Sequence, residues 1–492
     1  MKTIAFHNLG CKVNSYELDV MQQIMREKGY EIVPFDQKAD IYVINTCTVT
    51  NIADRKSRQM LHRAKQKNPD AVVVAVGCYV QTDLAGVEGD NAVDLAIGNN
   101  RKKDIASILE EFLANREKEE RSEGAISGEE AKPRESEKTD KTLGGRAVID
   151  INHTGEYEEM TLKTTAEHTR AYIKIQDGCN QFCSYCAIPL ARGRVRSRKP
   201  EDVLREIRGI VAAGYKEIVL TGIHVSSYGI DFAAQEKRAQ QEEGADKPTT
   251  DKPRDYRGQS KLLSLIEEIH EIPGLERIRV SSLEPRIVTP ETAKRFAALP
   301  KVCPHFHLSL QSGCDATLKR MNRHYTAQQY LESVEALRNA YAPIVPAITT
   351  DVIVGFPGET EEEFETTKAF LQKVGFYEMH MFKYSKRKGT RAAVMPDQVP
   401  DQVKAERSDV LLELEREQSI AFRRRKLGTQ AEVLFEEEKL IGGKKYLIGH
   451  TTDYVKVALE IGEGKGPGET AMVDLEEFLT EEVLLGHEST VF

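Results

Sequence analysis

Apolar and polar positions change rhythm along the chain, and the changes divide it. Over residues 1–113, short apolar runs alternate with amphipathic stretches. The runs predict strands at Thr3–Asn8, Ile41–Asn45, Ala71–Val76 and Leu95–Ile97. Apolar residues at helical spacing predict helices over Ser15–Lys28, Asp54–Lys67 and Lys102–Leu113. Such alternation implies βαβ units on a parallel sheet, a Rossmann-like domain. Arg116–Lys141 is dense in Glu, Lys, Ser and Gly, so 114–165 reads as a charged linker with little to bury.

Alternation resumes over 166–400. Strands are predicted at Ala171–Gln176, Glu217–Leu220, Arg277–Ser281, His305–Leu310, Thr349–Val354 and Glu378–Tyr384. Helical patterns fall between them at Pro200–Ala213, Leu262–Ile272, Thr292–Leu299, Ala327–Ala340 and Glu361–Val374. Six βα repeats predict a partial TIM-type (βα)6 barrel. A second charged tract, 231–258, reads as a surface insertion. A long charged helix, Val403–Arg425, lies in a connecting segment 401–427. Beyond it, 428–492 shows short Val/Leu/Tyr-rich strands between Gly-rich turns, a small antiparallel β-barrel of a type often used on RNA. The expected fold class is α/β with this all-β module appended.

The 492 residues suit about three domains of roughly 150 residues each. A chain 40% apolar and 30% charged is neither collagen, coiled coil nor wholly disordered. The longest apolar run, Ala71–Gly77, falls far short of the roughly 20 residues of a membrane span. No apolar leader follows Met1, so a cytoplasmic location with reduced thiols is expected. Eight cysteines there ask for a metal or redox explanation. The net charge of −9 argues weakly against nucleic acid, but 428–492 alone carries 14 Asp/Glu against 5 Lys. The remainder is neutral in sum, with cations grouped at Arg55–Lys67, Arg192–Lys199 and Arg423–Lys426. Such groups attract phosphate or form solvated faces.

The sharpest motif is Gly178-Cys179-Asn180-Gln181-Phe182-Cys183-Ser184-Tyr185-Cys186, directly after a predicted strand. Three thiolates on one tight loop can each bind one iron of a four-iron cluster, leaving the fourth open. A structural zinc site would want a fourth ligand, and no nearby Cys or His supplies a usual spacing. Asn, Gln, Ser and Gly between the thiols make a poor core segment. A second set is dispersed: Cys11, Cys47 and Cys78 each stand just past a predicted strand, 36 and 31 residues apart. C-terminal strand ends of a parallel sheet share one edge, where ligand sites form, so these three can converge. The alternative is three unrelated buried cysteines. Cys303 and Cys314 read as structural.

Short Gly-containing or acidic segments also end barrel strands: Leu220-Thr221-Gly222, Ser281–Pro285 and Asp351–Glu359. With them, the C-x3-C-x2-C loop resembles that of the radical S-adenosylmethionine (SAM) superfamily. With both thiol sets in this order, the chain resembles the methylthiotransferase family within it. Gly10–Ser15, Thr221–Gly229 and His307–Gly313 resemble the subgroup acting on N6-threonylcarbamoyladenosine in tRNA.

The resemblance implies two [4Fe-4S] clusters, a core one on Cys179, Cys183 and Cys186 and an auxiliary one on Cys11, Cys47 and Cys78. It implies a radical that takes hydrogen from C2 of the adenine, sulfur from the auxiliary cluster and methyl from a second SAM. Around SAM, Thr221, Gly222 and Gly355 would be at strand ends where backbone must come close. Tyr185 would lie near the adenine, and Arg320 and Arg323 would suit carboxylate pairing. Glu284 and Asp351 are candidates for ribose contact or for helix caps. The partners implied are tRNA, an external electron donor and a sulfur source, for a monomer. Arg192, Arg194, Arg196 and Arg198 are expected to grip RNA phosphates. The family's terminal module is a TRAM-like RNA clamp; here its acidity counts against that use. Either Lys439, Lys444, Lys445 and Lys456 form a local positive face, or the module is structural. The rival readings are methylthiolation of isopentenyladenosine or of a ribosomal protein, sulfur insertion without methylation, and a non-catalytic metal-containing RNA-binding protein.

Overall fold

The computed structural model describes residues 2–125, 140–164, 169–233, 260–461 and 466–489. Most of the expected insertion at 231–258 and the middle of the expected linker lie outside them.

The amino-terminal domain is a five-stranded parallel sheet in the order β2-β1-β3-β4-β5. Its strands are β1 (Thr3–Asn8), β2 (Glu31–Val33), β3 (Ile41–Thr46), β4 (Val72–Gly77) and β5 (Leu95–Ile97). Every residue of β3 and β4 is buried, as in a parallel sheet covered on both faces. β1 pairs with β3 in the register Ile4↔Ile41 to Asn8↔Asn45, and β3 with β4 from Ile41↔Val72 to Thr46↔Gly77. The loops carrying Cys11, Cys47 and Cys78 therefore leave the same edge.

The expected linker is corrected. The last helix of the domain continues from Ile105 to Ala125, and 140–164 is a packed strap. Leu143, Ala147, Ile151, Met160 and Leu162 are buried along it. Its backbone accepts from the sheet edge, Ala96 N to Lys141 O at 2.8 Å and Gly98 N to Ala147 O at 2.8 Å. A handful of aperiodic apolar residues suffices for such a strap, which is why charge density concealed it.

Among the described residues the middle domain has six parallel strands in chain order: β6 (Arg170–Asp177), β8 (Glu217–Gly222), β9 (Arg277–Val280), β10 (His305–His307), β11 (Ala347–Val354) and β12 (Glu378–Lys383). They form the sheets β7-β6-β8-β9 and β10-β11-β12, joined by the parallel bridges Ile278↔Val302 and Leu283↔Leu308. The short antiparallel β7 (Arg196–Ser197) covers the outer edge of β6. This is the expected partial (βα) barrel. Residues of its core and of the amino-terminal domain, such as Tyr16, Val20, Met160, Ile173 and Leu220, belong to one apolar cluster.

The connecting helix Asp401–Arg424 leads to a closed barrel, β13 (Gln430–Ile441), β14 (Lys444–Thr451), β15 (Lys456–Glu460), β17 (Val483–Glu488) and β16 (Thr470–Thr480), antiparallel except for β15 with β17. It sits against the barrel strands: Arg277 Nη1 donates to His450 O at 3.1 Å, and Arg279 Nη1 to Thr452 O at 2.8 Å. No helix among the described residues is long and apolar enough to cross a membrane.

Candidate metal centres

Cys11 precedes the helix Lys12–Glu27, Cys47 follows β3, and Cys78 opens the short helix Cys78–Thr82. Cys11 holds the N-cap position of its helix without using its side chain as a cap, so the thiol is free for another task. A Cβ built on Gly10 would lie 3.1 Å from Cys47 Sγ, which places the first loop against the second thiol. Cys78 and Cys11 both stand among the charges acting on Cys47. Asn99 Nδ2 lies 3.5 Å from Cys78 Sγ and donates to Ala191 O at 2.7 Å. The three dispersed cysteines thus stand near one another at one edge of the sheet.

The Cys179–Cys186 loop follows β6 through Gly178, at φ +68°. A Cβ there would lie 1.8 Å from Arg194 O, so only glycine fits. Cys179 N donates to Gly193 O and Cys186 N to Cys183 O, each at 3.0 Å. Arg323 Nη1 approaches Cys183 Sγ at 3.2 Å. Burial and the neighbouring thiols push Cys47 and Cys186 up to about 12. As free groups these are neutral thiols; a bound cation is what would deprotonate them. Among the described residues neither set closes to the spacing of ligands round a single ion; His307, Asp351 and His380 do, within 4.8 Å. Three thiols per set, spread rather than gathered and with Cys11 exposed and the core three partly so, fit a multi-iron cage with one open corner.

A buried ionic frame joins the two sets. Glu17, on the helix behind Cys11, accepts from Lys102 Nζ at 2.5 Å, Lys174 Nζ at 2.7 Å and Arg192 Nη1 at 2.7 Å. Arg192 also donates to Asn14 Oδ1 at 2.6 Å and to both Asp177 oxygens at 3.2 Å. Burial opposes ionisation of Glu17, yet Arg192, Lys102 and Lys174 hold its carboxyl well below the usual range. Arg192 is among the charges acting on Cys11 and Cys47, and Cys78 acts on it in turn.

This frame corrects the expected phosphate grip. Arg192, Arg196 and Arg198 are 0–1% exposed. Arg196 faces Asp177, and Arg198 is paired with Glu206 and Glu159. Arg194 alone of the four is exposed, stacked 4.5 Å from the centre of the half-exposed Phe182 ring. The run looked like a surface patch because charge alone does not reveal buried partners 175 residues away.

The expected SAM contacts also divide. Arg320 is corrected: its guanidinium is forked onto Glu363, with Nη1 to Oε1 at 2.9 Å, so its bidentate edge is already taken by a carboxylate of the chain. Arg323 remains beside the core loop. Thr221 is buried at the end of β8, and Gly222 packs on Gln176, whose O would lie 3.0 Å from an added Cβ. Glu284 accepts from Gln181 Nε2 at 3.3 Å, which brings it to the core loop; against the effect of burial, His224 and Arg286 hold its carboxyl down to about 2. Tyr185 packs edge-on against Phe356, 6.4 Å between centres. Gly355 turns the chain after β11 at φ +69°, where a Cβ would meet Lys404 Cγ at 2.3 Å. Asp351 lies inside the barrel with His307 Nε2 at 3.4 Å.

Other site residues gave no motif. Arg387 is buried and reaches Thr48 Oγ1 and Asn51 Oδ1 at 2.6 Å each and Asp54 Oδ2 at 2.7 Å, bracing the Cys47 loop from the middle domain. His307 and His380, grouped with Asp351, also belong here; inward-facing alternation on β10–β12 was the available signal for them.

Residues 173–371 match the radical SAM superfamily, and residues 3–98 match the uncharacterized protein family UPF0004. The chain is 39% identical to the threonylcarbamoyladenosine tRNA methylthiotransferase MtaB of Bacillus subtilis (strain 168), over 94% of this chain and 91% of that one. It is 36% identical to the MtaB of Aquifex aeolicus (strain VF5), over 90% and 95%. The chain belongs to the radical SAM methylthiotransferase family. The tRNA-2-methylthio-N(6)-dimethylallyladenosine synthase of Carboxydothermus hydrogenoformans is 34% identical, over 93% of this chain and 96% of that one. In this family the core and auxiliary [4Fe-4S] clusters and SAM are the working cofactors, and both thiol sets suit them in number and position.

Proposed function

We propose that this protein converts N6-threonylcarbamoyladenosine in tRNA into its 2-methylthio derivative, acting in the cytoplasm as a monomer with an external reductant and a sulfur source. The observation that carries the reading is the pair of three-thiol sets held on one buried frame, in a chain 39% identical to a relative named for that reaction. Cys179, Cys183 and Cys186 would hold the core cluster, and Cys11, Cys47 and Cys78 the auxiliary one. When bound, the clusters and SAM supply the radical, the sulfur and the methyl group that an unactivated aromatic C–H bond requires.

The chain's own residues place and isolate the reactants. Arg323, beside Cys183, and Glu284, beside Gln181, are the charged groups at the core loop suited to the polar ends of SAM. Tyr185 and Phe356 offer an aromatic wall. The Glu17–Arg192 frame keeps the thiol sets in fixed relation, which positioning chemistry of this kind needs. For the RNA, exposed Arg194 and Phe182 beside the core loop, with exposed Arg55, Lys56 and Arg58 beside the auxiliary one, combine phosphate attraction with a stacking face.

The test is anaerobic reconstitution followed by reaction with tRNA carrying the threonylcarbamoyl group. About eight irons per chain, reductive cleavage of SAM and a 2-methylthio product by mass are expected. Bound zinc without cleavage would favour a non-catalytic RNA-binding protein. Product only on isopentenyladenosine would move the chain to the other substrate.

A further inference from the structure

Among the described residues, the set of possible ligands that closes to single-ion spacing contains no thiol. One ligand atom each from His307, Asp351 and His380 lie within 4.8 Å of one another. The backbone dictates this grouping. In the parallel register Asp351 pairs with His380, and His307 with Thr349, two residues before Asp351. Register partners share a face, as do residues i and i+2 of one strand, so all three ligands stand on one face of the β10-β11-β12 sheet. Ile348, Val352 and Val354 alternate with them and belong to the apolar core, which leaves the ligand face to the barrel interior. Ile353, next along that face, packs on the same apolar cluster as Tyr185 of the core loop.

The side chains are set up as ligands. His307 Nδ1 lies 3.0 Å from Thr349 Oγ1, an outer contact of the kind that fixes an imidazole's tautomer and orientation. Its other nitrogen, Nε2, is buried with no hydrogen-bond partner and lies 3.4 Å from Asp351 Oδ2. With the ring proton on Nδ1, two lone pairs face each other there, which is costly without positive charge between them. An ion bound at about 2.0–2.1 Å in a tetrahedral site holds two ligands roughly 3.4 Å apart, which is this spacing. His380 joins from β12, the end strand of its sheet, where it is exposed. Its ring is inclined by 20° to that of His307, with 5.9 Å between centres. The exposure gives an ion an entry path and gives the side chain room to close on it.

We propose that His307, Asp351 and His380 hold one divalent first-row transition ion, separate from both iron–sulfur clusters. Two imidazoles and one carboxylate suit zinc, iron(II) or cobalt(II) better than magnesium or calcium, which take oxygen ligands. Three ligands from one sheet face lie to one side of the ion, so its remaining positions open on the barrel interior. There it is a Lewis acid for an oxygen donor of a bound molecule. The site stands on the chain's own side chains and does not depend on which RNA base is modified.

The test uses the reconstituted holoenzyme, with its six cluster thiols occupied and both clusters in the oxidised, EPR-silent form, dialysed anaerobically against cobalt(II) chloride. Wild type is expected to retain about one cobalt per chain beside about eight irons. The cobalt should give a high-spin EPR signal with nitrogen couplings from two imidazoles, and equimolar zinc should compete for the site. His380→Ala, at an exposed position, should keep its iron, bind cobalt at least about tenfold more weakly and lose one imidazole coupling. Asp351→Asn should weaken binding with both couplings kept, and His62→Ala, exposed on the amino-terminal domain, should change neither. A wild type that retains no cobalt overturns the proposal and leaves His307 as the protonated partner of Asp351. Cobalt held equally well by His380→Ala and His307→Ala overturns it too, as does a cobalt signal without imidazole couplings, the mark of metal exchanged into a cluster corner.

Discussion

Glu17 and Arg192 meet in a fork: Nη1 to Oε1 at 2.7 Å and Nη2 to Oε2 at 2.9 Å, both side chains about 1% exposed. One belongs to the helix behind Cys11, the other to the turn after the Cys179–Cys186 loop. The two thiol sets are thus tied by one salt bridge.

Removing the carboxylate leaves Lys102, Lys174 and Arg192 buried around a hole. Glu17→Ala is expected to cost about 3–5 kcal/mol in denaturant unfolding of the cluster-free chain. The pH dependence has a definite sign. The folded pKa lies below the unfolded value, so this stability is present above an unfolded pKa of about 4.3 and fades as pH falls through the folded value. The gap between wild type and Glu17→Gln should be constant at neutral pH and shrink only on acidification below about pH 4. A gap that instead closes toward alkaline pH would contradict the frame.

Gly178→Ala forces a Cβ onto Arg194 O at 1.8 Å and at φ +68°. Gly214→Ala, at φ +98° but with nothing within 4 Å, is the matched control. The first should lose the core cluster, falling to about four irons per chain with no SAM cleavage. The second should cost about 1 kcal/mol and keep both clusters.

Cys47→Ala and Cys183→Ala should each remove one whole cluster, because three thiolates are the minimum set for each cage. Iron and sulfide should fall by half in both. Only Cys47→Ala should retain SAM cleavage, and it should give no methylthio product.

Arg387→Met breaks the brace from the middle domain onto Thr48, Asn51 and Asp54. Asp54 is left largely buried without its cation, so a loss of about 3 kcal/mol is expected. The auxiliary cluster should become labile to chelator while the core cluster still cleaves SAM. Equal lability of both would show that Arg387 acts on the fold in general.

The strands were legible because parallel strands covered on both faces are continuous apolar runs: β1 and β5 have the bounds their patterns predict, and β4 begins one residue later. β2 was missed because its three residues, Glu31–Val33, have no buried position. The C-x3-C-x2-C loop was legible from local spacing, and the dispersed set from strand-end logic. Partnership was not. Arg192, Arg198 and Arg320 look like surface cations until the acids that hold them, Glu17, Glu206 and Glu363, are brought in by the fold.

The carboxy-terminal barrel can be assigned its role by truncation. Its Lys444 is paired with Glu460, and its acidic composition offers phosphate little. Its apolar core, by contrast, is continuous with the middle domain: Ala347, Tyr377 and Phe422 pack with Val433, Phe435, Leu447 and Val457. Glu432 O and Oε1 and the carbonyls of His450, Thr451 and Thr452 accept from Arg277 and Arg279. A chain ending at residue 427 would leave two buried arginines without most of their acceptors and expose an apolar face. It should be insoluble or unfold at much lower denaturant, and lose both clusters. A purely RNA-clamping module predicts otherwise: a soluble truncated chain with both clusters and normal SAM cleavage, weakened only in tRNA binding. Iron content and tRNA affinity measured on the same truncated preparation separate the two.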